Sequence, residues 1–282
     1  MKLSDSLQRA QSLGLARIDA QLLHLHALGR DPHDRAWLLA NDRETLPADA
    51  AKRLEQSLQR RLAGEPLAYI TGFKEFFGLK LQVDTRVLDP RPDTETLVEW
   101  ALELLPPDSQ ARILDLGTGS GAVALALQNE RPSCQVVAVD ASADALAVAQ
   151  ANANRLNLPV KCVLSHWMDQ IEGPFQLMVS NPPYVADTDP HLAALTHEPL
   201  QALTSGPDGL DDLRQIVAQA PSRLAPGGWL LLEHGWDQAP AVQTLLRDAG
   251  FKQVQSRKDL AGIERCSGGI WPDESVLLAP QL

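Results

Sequence analysis

Apolar residues in the first 65 positions recur at helical spacing. Leu54, Leu58 and Leu62 stand at i, i+4 and i+8 with Ala51 on the same side, and this stripe predicts an amphipathic helix. Pro47 is placed to open that helix and Gly64 to close it. Leu3, Leu7 and Ala10 begin a second stripe. Ile18, Leu22 and Leu25 form a third, ended by Gly29, and Trp37, Leu38 and Leu39 make a shorter apolar piece. Short helices with short connections predict a small bundle. His24 and His26 lie two apart and point to different helix faces, so they read as structural or surface residues.

From Tyr69 the period changes. Leu79, Leu81 and Val83 alternate with Lys80, Gln82 and Asp84, a strand pattern, while Gly72 and Gly78 bracket Phe73, Phe76 and Phe77. A hairpin connector is expected here. Pro90-Arg91-Pro92 follows, then Asp93 as a helix opener and an apolar pattern through Leu97, Val98, Ala101 and Leu105. The domain boundary is expected near residues 84–92, giving units 1–84 and 85–282.

Beyond it, strands and helices alternate. Strands are expected at 112–115, 135–139, 160–164, 175–180 and 229–233, with helices at 120–129, 143–155, 208–223 and 238–249. Two late runs, 251–255 and 275–279, predict a final strand pair. Such alternation predicts an α/β domain with a parallel, doubly wound sheet.

Composition narrows the class. Apolar residues make up 44% and charged residues 22%, ordinary globular usage that excludes disorder, collagen and coiled coil for the whole chain. No apolar run approaches the roughly 18 residues a membrane helix needs. The N-terminal Met1-Lys2-Leu3-Ser4-Asp5-Ser6 lacks the apolar core of a signal peptide, so a cytoplasmic location is expected. Cys134, Cys162 and Cys266 are far apart with no Cys-x-x-Cys pair, which argues against a disulfide framework or a zinc site; no metal is expected. Charge is uneven. Residues 1–90 carry 13 Lys and Arg against 12 Asp and Glu, whereas residues 91–282 carry 12 against 24. A domain at −12 with no basic stripe repels a phosphate backbone, which argues against direct nucleic-acid binding.

Two motifs carry chemistry. Asp115-Leu116-Gly117-Thr118-Gly119-Ser120-Gly121 lies at a strand-to-helix junction, where glycines let the backbone approach a ligand and the helix start offers free N–H groups. Asp140 ends the next strand, about where an acid meets ribose hydroxyls. These two features fit an adenosine-type ligand, and taken alone they also fit a dinucleotide fingerprint. Asn181-Pro182-Pro183-Tyr184 follows the fourth strand, outside the carboxyl end where open α/β sheets place ligands. An Asn oxygen and a proline-fixed carbonyl can accept from one –NH₂ group, two prolines hold the backbone rigid, and the tyrosine ring can pack on a planar amide or base. That set suits holding a weakly nucleophilic –NH₂ beside a methyl donor. A nicotinamide oxidoreductase leaves the tetrapeptide idle. A nucleic-acid N-methyltransferase would use it on a base.

Together these motifs resemble the class I S-adenosylmethionine-dependent methyltransferases that act on amino groups. Residues 66–78, Pro90-Arg91-Pro92-Asp93-Thr94-Glu95, Glu198-Pro199 and Glu233-His234-Gly235 narrow the resemblance to the HemK/PrmC family. Thr196-His197 departs from it, standing where that family carries an arginine–aromatic pair. The resemblance implies a Rossmann-like methyltransferase sheet behind a small helical bundle and a β-hairpin connector. It implies methylation of the glutamine side-chain amide in the Gly-Gly-Gln motif of class 1 peptide chain release factors, by a monomer. Residue by residue, Gly117, Thr118, Gly119, Ser120 and Gly121 would line the methionine and ribose part of S-adenosylmethionine. Asp140 would take the ribose hydroxyls and Trp167 would lie beside the adenine. Asn181 would touch cofactor and substrate amide. Pro182, Pro183 and Tyr184 would complete the substrate pocket. Arg91 and Glu95 would lie near the methionine end, and residues 1–84 would dock the protein substrate.

Overall fold

A computed structural model describes residues 1–273. They form two compact units that divide after Phe73.

The first unit holds α1 (Leu3–Ser12), α2 (Arg17–Ala27), α3 (Arg35–Ala40), α4 (Ala48–Leu62) and α5 (Leu67–Thr71). Leu3, Ala10, Leu23, Ala27, Leu54, Leu58 and Ile70 share one core. Pro47 precedes α4 and Gly64 follows it with φ of 92°, as the sequence predicts. Two stripes differ from expectation. Leu62 is 46% exposed, and Ala50 rather than Ala51 is buried. In α2, Ile18 is 42% exposed, and the buried face instead runs through Ala20, Leu23, His24 and Ala27. The reason is His24, which counts as polar in a hydropathy pattern yet is fully buried. Its Nδ1 donates to the Ala20 carbonyl (2.6 Å) and its Nε2 accepts from the Ser6 hydroxyl (2.8 Å). Both ring nitrogens are satisfied, and burial holds the imidazole below its ordinary pKa, so it packs as a neutral group.

The hairpin expected near residue 78 is present as β1 (Phe73–Phe76) and β2 (Leu79–Gln82). Phe77 and Gly78 connect them with φ of 48° and 75°. Two consecutive left-handed residues match the right-handed strand twist of a tight hairpin. The Glu95 carboxylate accepts from the Phe77 N–H (2.9 Å) and holds the turn against the next helix.

That helix is α6 (Glu95–Leu104), after a 3₁₀ turn at Pro92–Thr94. Then follow β3 (Arg112–Leu116), α7 (Ala122–Glu130), β4 (Gln135–Asp140), α8 (Ala143–Leu156), β5 (Lys161–Leu164) and β6 (Phe175–Ser180). The described residues end with α9 (Asp211–Gln219), β7 (Leu224–Glu233), α10 (Ala239–Asp248), β8 (Lys252–Lys258) and β9 (Glu264–Ile270). Seven strands form one sheet in the order β5-β4-β3-β6-β7-β9-β8. The first five run parallel, and β9 lies antiparallel to both neighbours. Central strands read as continuous apolar runs because helices cover both faces: Ile113, Leu114, Leu177, Met178, Leu230 and Leu231 are all buried.

Of the late strand pair, 251–255 falls on β8, while 275–279 lies outside the described residues. The partner of β8 is β9, which the hydrophobic pattern does not reveal. Its Ser267-Gly268-Gly269 stretch carries no apolar alternation because there is no room for side chains. A Cβ on Gly268 would sit 2.5 Å from Leu231 Cδ2, 2.6 Å from the Leu230 carbonyl and 3.0 Å from the Trp100 ring.

The chain runs outward from β3 through β4 to β5, then returns to place β6 on the other side of β3. The connections that leave the carboxyl ends of β3 and β6 therefore run in opposite directions, and a crevice opens at this switch point.

Candidate active site

A cavity of about 320 Å³ occupies that crevice. Its floor is the glycine loop between β3 and α7. Gly117, Gly119 and Gly121 all have positive φ, 71°, 54° and 85°. The loop is anchored from below by Asp115, whose carboxylate accepts from the Thr118 hydroxyl (2.6 Å) and the Ala124 N–H (3.2 Å). Burial pushes the Asp115 carboxyl up to about 7, with the Thr118 bond opposing. Thr118 N–H also bonds the Val139 carbonyl (2.8 Å), and this joins the loop to β4.

The three glycines have different jobs. Gly117 lies under the Trp167 ring, 3.4 Å from where its Cβ would be. Gly119 lines the cavity and faces open space, which a side chain there would occupy. Gly121 is a packing position: its Cβ would meet Leu125 at 3.0 Å and Ala149 at 3.3 Å, and it is absent from the cavity wall. Gly117, Thr118, Gly119 and Ser120 all line the cavity.

Asp140, at the end of β4, forms one wall. Its Oδ2 accepts from Gly119 N–H (2.9 Å) and its Oδ1 from Ser142 N–H (2.9 Å). Burial pushes this carboxyl up, against those N–H donors. Each oxygen keeps a second lone-pair direction, which suits two adjacent hydroxyls. Trp167 and His166 line the same end. Trp167 adopts φ of 44°, a left-handed conformation that costs a bulky residue energy and signals a placed side chain. Its indole N–H is buried with no hydrogen-bond partner among the described residues.

The opposite wall comes from the end of β6. The Ser180 hydroxyl donates to the Leu116 carbonyl (2.7 Å), fixing the exit of β6 against β3. Asn181 and Pro183 line the cavity; Pro182 and Tyr184 do not. Pro182 is buried, and Tyr184 turns toward the core, where its hydroxyl donates to Glu233 Oε1 (3.4 Å). Asn181 Nδ2 donates to the Thr94 hydroxyl (3.1 Å). Gln238 staples the loop from behind: its Nε2 donates to the Tyr184 carbonyl (3.0 Å) while its Oε1 accepts from Gly235 N–H (2.8 Å).

Two residues that shape the site, Glu233 and Asn152, are given no role by motif reading. Glu233 is buried at the end of β7, and burial pushes it up to about 7. Asn152 accepts from Gln82 N–H (2.7 Å) and donates to the carbonyls of Gln82 (2.9 Å) and Ser120 (3.0 Å), clamping β2 to the glycine loop. Arg91 does not line the cavity. It pairs with the buried Glu198 (2.6 Å), tying down the segment from which Pro199, Gln201 and Ala202 reach the cavity wall. Glu95 serves the hairpin turn.

A glycine loop at the switch point, an acid ending the second strand and an Asn-Pro-Pro-Tyr exit from the fourth define a Rossmann-like methyltransferase. Consistent with this class, a family model for the methyltransferase small domain matches residues 94–258, and one for the PrmC N-terminal domain matches residues 2–72. The crystal structure of a methyltransferase from Pyrococcus furiosus shares the fold, with a TM-score of 0.56 over 78% of this chain and 100% of that one, at 19% identity. The release factor glutamine methyltransferase of Bordetella pertussis is 50% identical over 260 residues, 91% of this chain and 95% of that protein. That of Pseudomonas aeruginosa is 48% identical, covering 91% and 93%. The chain belongs to the release factor glutamine methyltransferase family.

Proposed function

We propose that this protein methylates the side-chain amide nitrogen of the glutamine in the Gly-Gly-Gln motif of class 1 peptide chain release factors, with S-adenosylmethionine as donor. Relatives of that name, near half identical over nine-tenths of the chain, support the reaction. The observation that carries it to these residues is Asn181, on the cavity wall opposite Asp140 with its amide tethered.

The cavity fits the cofactor. Asp140 offers a carboxylate to a diol, Gly119 leaves the space a side chain would fill, and the Trp167 indole N–H has no partner among the described residues. S-adenosylmethionine, when bound, supplies a methyl group on a positively charged sulfur.

The chain's own task is to hold a poor nucleophile. An amide nitrogen's lone pair is delocalised into its carbonyl. In this reading the Asn181 oxygen and the Pro182 carbonyl accept the two N–H bonds of the substrate and turn the lone pair toward the methyl. Proline at 182 and 183 removes backbone donors that would compete and keeps the carbonyl in place. Rate comes from positioning and electrostatics. The direct test incubates the enzyme and labelled S-adenosylmethionine with a release factor, its Gln→Ala variant, and bare DNA. Label on the wild-type factor alone is expected; label on DNA would favour a nucleic-acid substrate.

Gly209 gives a second test. Its φ is 73°, and a Cβ there would fall 2.2 Å from the Tyr184 carbonyl. Gly209→Ala is expected to push the tetrapeptide aside. A misplacement of about 1 Å at a reacting centre costs roughly 10²-fold in rate. Cofactor affinity should hold, because the glycine loop and Asp140 are untouched. Equal turnover in the variant would mean the tetrapeptide tolerates displacement.

We also infer that the N-terminal helical unit docks the release factor and takes no part in the chemistry. It presents helical stripes and no acid–base cluster in sequence. Truncation should fall before Lys74 rather than after residue 84, because Asn152 ties β2 to the glycine loop. Such a variant should bind cofactor normally and methylate the intact factor poorly. Full efficiency in steady-state assays would remove the docking role.

A further inference from the structure

The exit end of the tetrapeptide is held by a side chain that does not line the cavity. Gln238 stands between β7 and α10 and is half-buried. Its Oε1 accepts from Gly235 N–H (2.8 Å) and its Nε2 donates to the Tyr184 carbonyl (3.0 Å). Both partners are backbone groups of fixed sense, one a donor and one an acceptor, so the amide has a single allowed orientation. The same Nε2 approaches the carbonyls of Asp208 and Gly209 at 3.4 Å each. Glycine at 235 makes room for this arm. A Cβ there would meet Gln238 Oε1 at 3.0 Å and Cδ at 3.2 Å.

His234, in the Glu233-His234-Gly235 motif, fixes the turn that carries Gln238. The Gly235 carbonyl accepts from Gln238 N–H (3.1 Å) and from His234 Nδ1 (2.9 Å). A carbonyl only accepts, so Nδ1 carries a proton. The ring is fully buried, and burial holds it below its ordinary pKa, so Nε2 carries none and accepts. Its partner is the Ser267 hydroxyl (2.8 Å), which lies 2.7 Å from Ser256 Oγ. Gln243 Nε2 donates to Ser256 Oγ (2.7 Å), and Arg247 donates to Gln243 Oε1 (2.9 Å). Donors at the far end and an acceptor at Gly235 leave the two serine protons one direction, toward His234. Both ends of the chain demand the same tautomer. A packing role alone needs no such polarity, since an apolar side chain would fill the space.

We propose that Gln238 and His234 are positioning residues for methyl transfer: Gln238 holds the tetrapeptide through the Tyr184 carbonyl, and His234, protonated on Nδ1, holds the turn from which Gln238 reaches. Neither touches the reacting atoms. The inference rests on the role proposed for Asn181 and Pro182, and extends it to two residues behind them. Val185 keeps a second tie beyond the clamp, since its N–H bonds the Leu203 carbonyl (2.9 Å) and its carbonyl the Ser205 N–H (3.0 Å). Loss of the clamp therefore costs less than loss of Asn181.

Polarity makes the scheme testable. Gln238→Glu keeps the length and an acceptor for Gly235 N–H, and removes the donor to Tyr184. It is expected to lower single-turnover kcat about tenfold, with a smaller change in KM for the release factor and none in affinity for S-adenosylmethionine. Among His234 variants, Asn places an N–H where Nδ1 stands, and Gln places one where Nε2 stands. His234→Asn should therefore retain most of the turnover, and His234→Gln should lose about as much as Gln238→Glu. Full turnover in Gln238→Glu, or equal losses in His234→Asn and His234→Gln, would overturn the proposal and leave these residues a structural role.

Two resonance measurements need no turnover. In the free enzyme the Tyr184 carbonyl ¹³C signal should move upfield in Gln238→Glu, as its donor is lost. The His234 ring ¹⁵N signals of the wild type should show a protonated Nδ1 and a bare Nε2. A proton on Nε2 overturns the part given to His234, and this reading stands even if the His234 variants fail to fold. If the wild-type enzyme leaves release factors unmethylated, the substrate reading fails and the clamp is judged by the carbonyl signal alone. An unmoved signal in Gln238→Glu then refutes it.

Discussion

Replacing Asn181 with alanine is expected to slow methylation of the release factor by a factor on the order of 10²–10³, the usual cost of one preorganised contact made to the reacting group. The alanine removes the oxygen that would accept from the glutamine –NH₂. The substrate nitrogen then rotates, and its lone pair meets the methyl only rarely. Little else should change. Residue 181 lies beyond the last residue of β6, and the Ser180–Leu116 bond that fixes the strand end stays intact. Asn181→Asp is the sharper variant. It keeps an acceptor of nearly the same shape, loses the N–H that Thr94 receives, and adds a negative charge. Its rate should fall between those of wild type and alanine. Single-turnover measurements with saturating cofactor separate the chemical step from binding. Equal rates for wild type and Asn181→Ala would reduce the tetrapeptide to a turn.

The contrast between Asn181 and Asn152 shows what a sequence can disclose. Asn181 stands out because it breaks a buried apolar strand at the carboxyl edge and is followed by two prolines, a local signal. Asn152 sits in the middle of an Ala-rich helix and reads as a solvated position. It is in fact fully buried, and its partners are Gln82, 70 residues away, and Ser120, 32 away. Nothing local encodes such a partnership. The parallel strands were legible because both their faces are covered, which writes Val, Ile and Leu into consecutive positions. Strand β9 was illegible for the opposite reason, since close approach of Leu231 and Trp100 removes the side chains a pattern needs. His24 disturbed the reading of α2 because hydropathy assigns it to solvent, whereas two hydrogen bonds make its burial affordable. Of the site itself, the glycine loop, Asp140 and Asn181 were visible as motifs. Thr94 and Glu233 were visible only as members of motifs, with no hint that the first would receive the Asn181 amide and the second the Tyr184 hydroxyl.

Asp140→Ala is expected to weaken S-adenosylmethionine binding by about 10- to 150-fold, because hydrogen bonds to a charged group contribute roughly 1.5–3 kcal/mol and each 1.4 kcal/mol is tenfold. Two effects add. The variant loses the carboxylate that would take the ribose hydroxyls. It also strips the acceptor from Gly119 N–H and Ser142 N–H, which Asp140 holds at 2.9 Å each, so the glycine loop loses one of its two bonds to β4 and keeps only that from Thr118 N–H to the Val139 carbonyl. The helix behind should endure, since the Ser142 hydroxyl still caps α8 by accepting from Ala145 N–H (3.2 Å). Asp140→Asn divides the two effects. Its remaining oxygen can serve one backbone N–H, and its –NH₂ can donate to a hydroxyl, but it carries no charge and cannot accept from both ends. Its affinity should lie between wild type and alanine. The Km for the release factor, measured at saturating cofactor, should change little, because Asp140 and Asn181 occupy opposite walls of the cavity. Calorimetry on folded variants decides the matter: an unchanged affinity in Asp140→Ala would falsify the assignment of this carboxylate to the cofactor, and the diol would have to be held elsewhere.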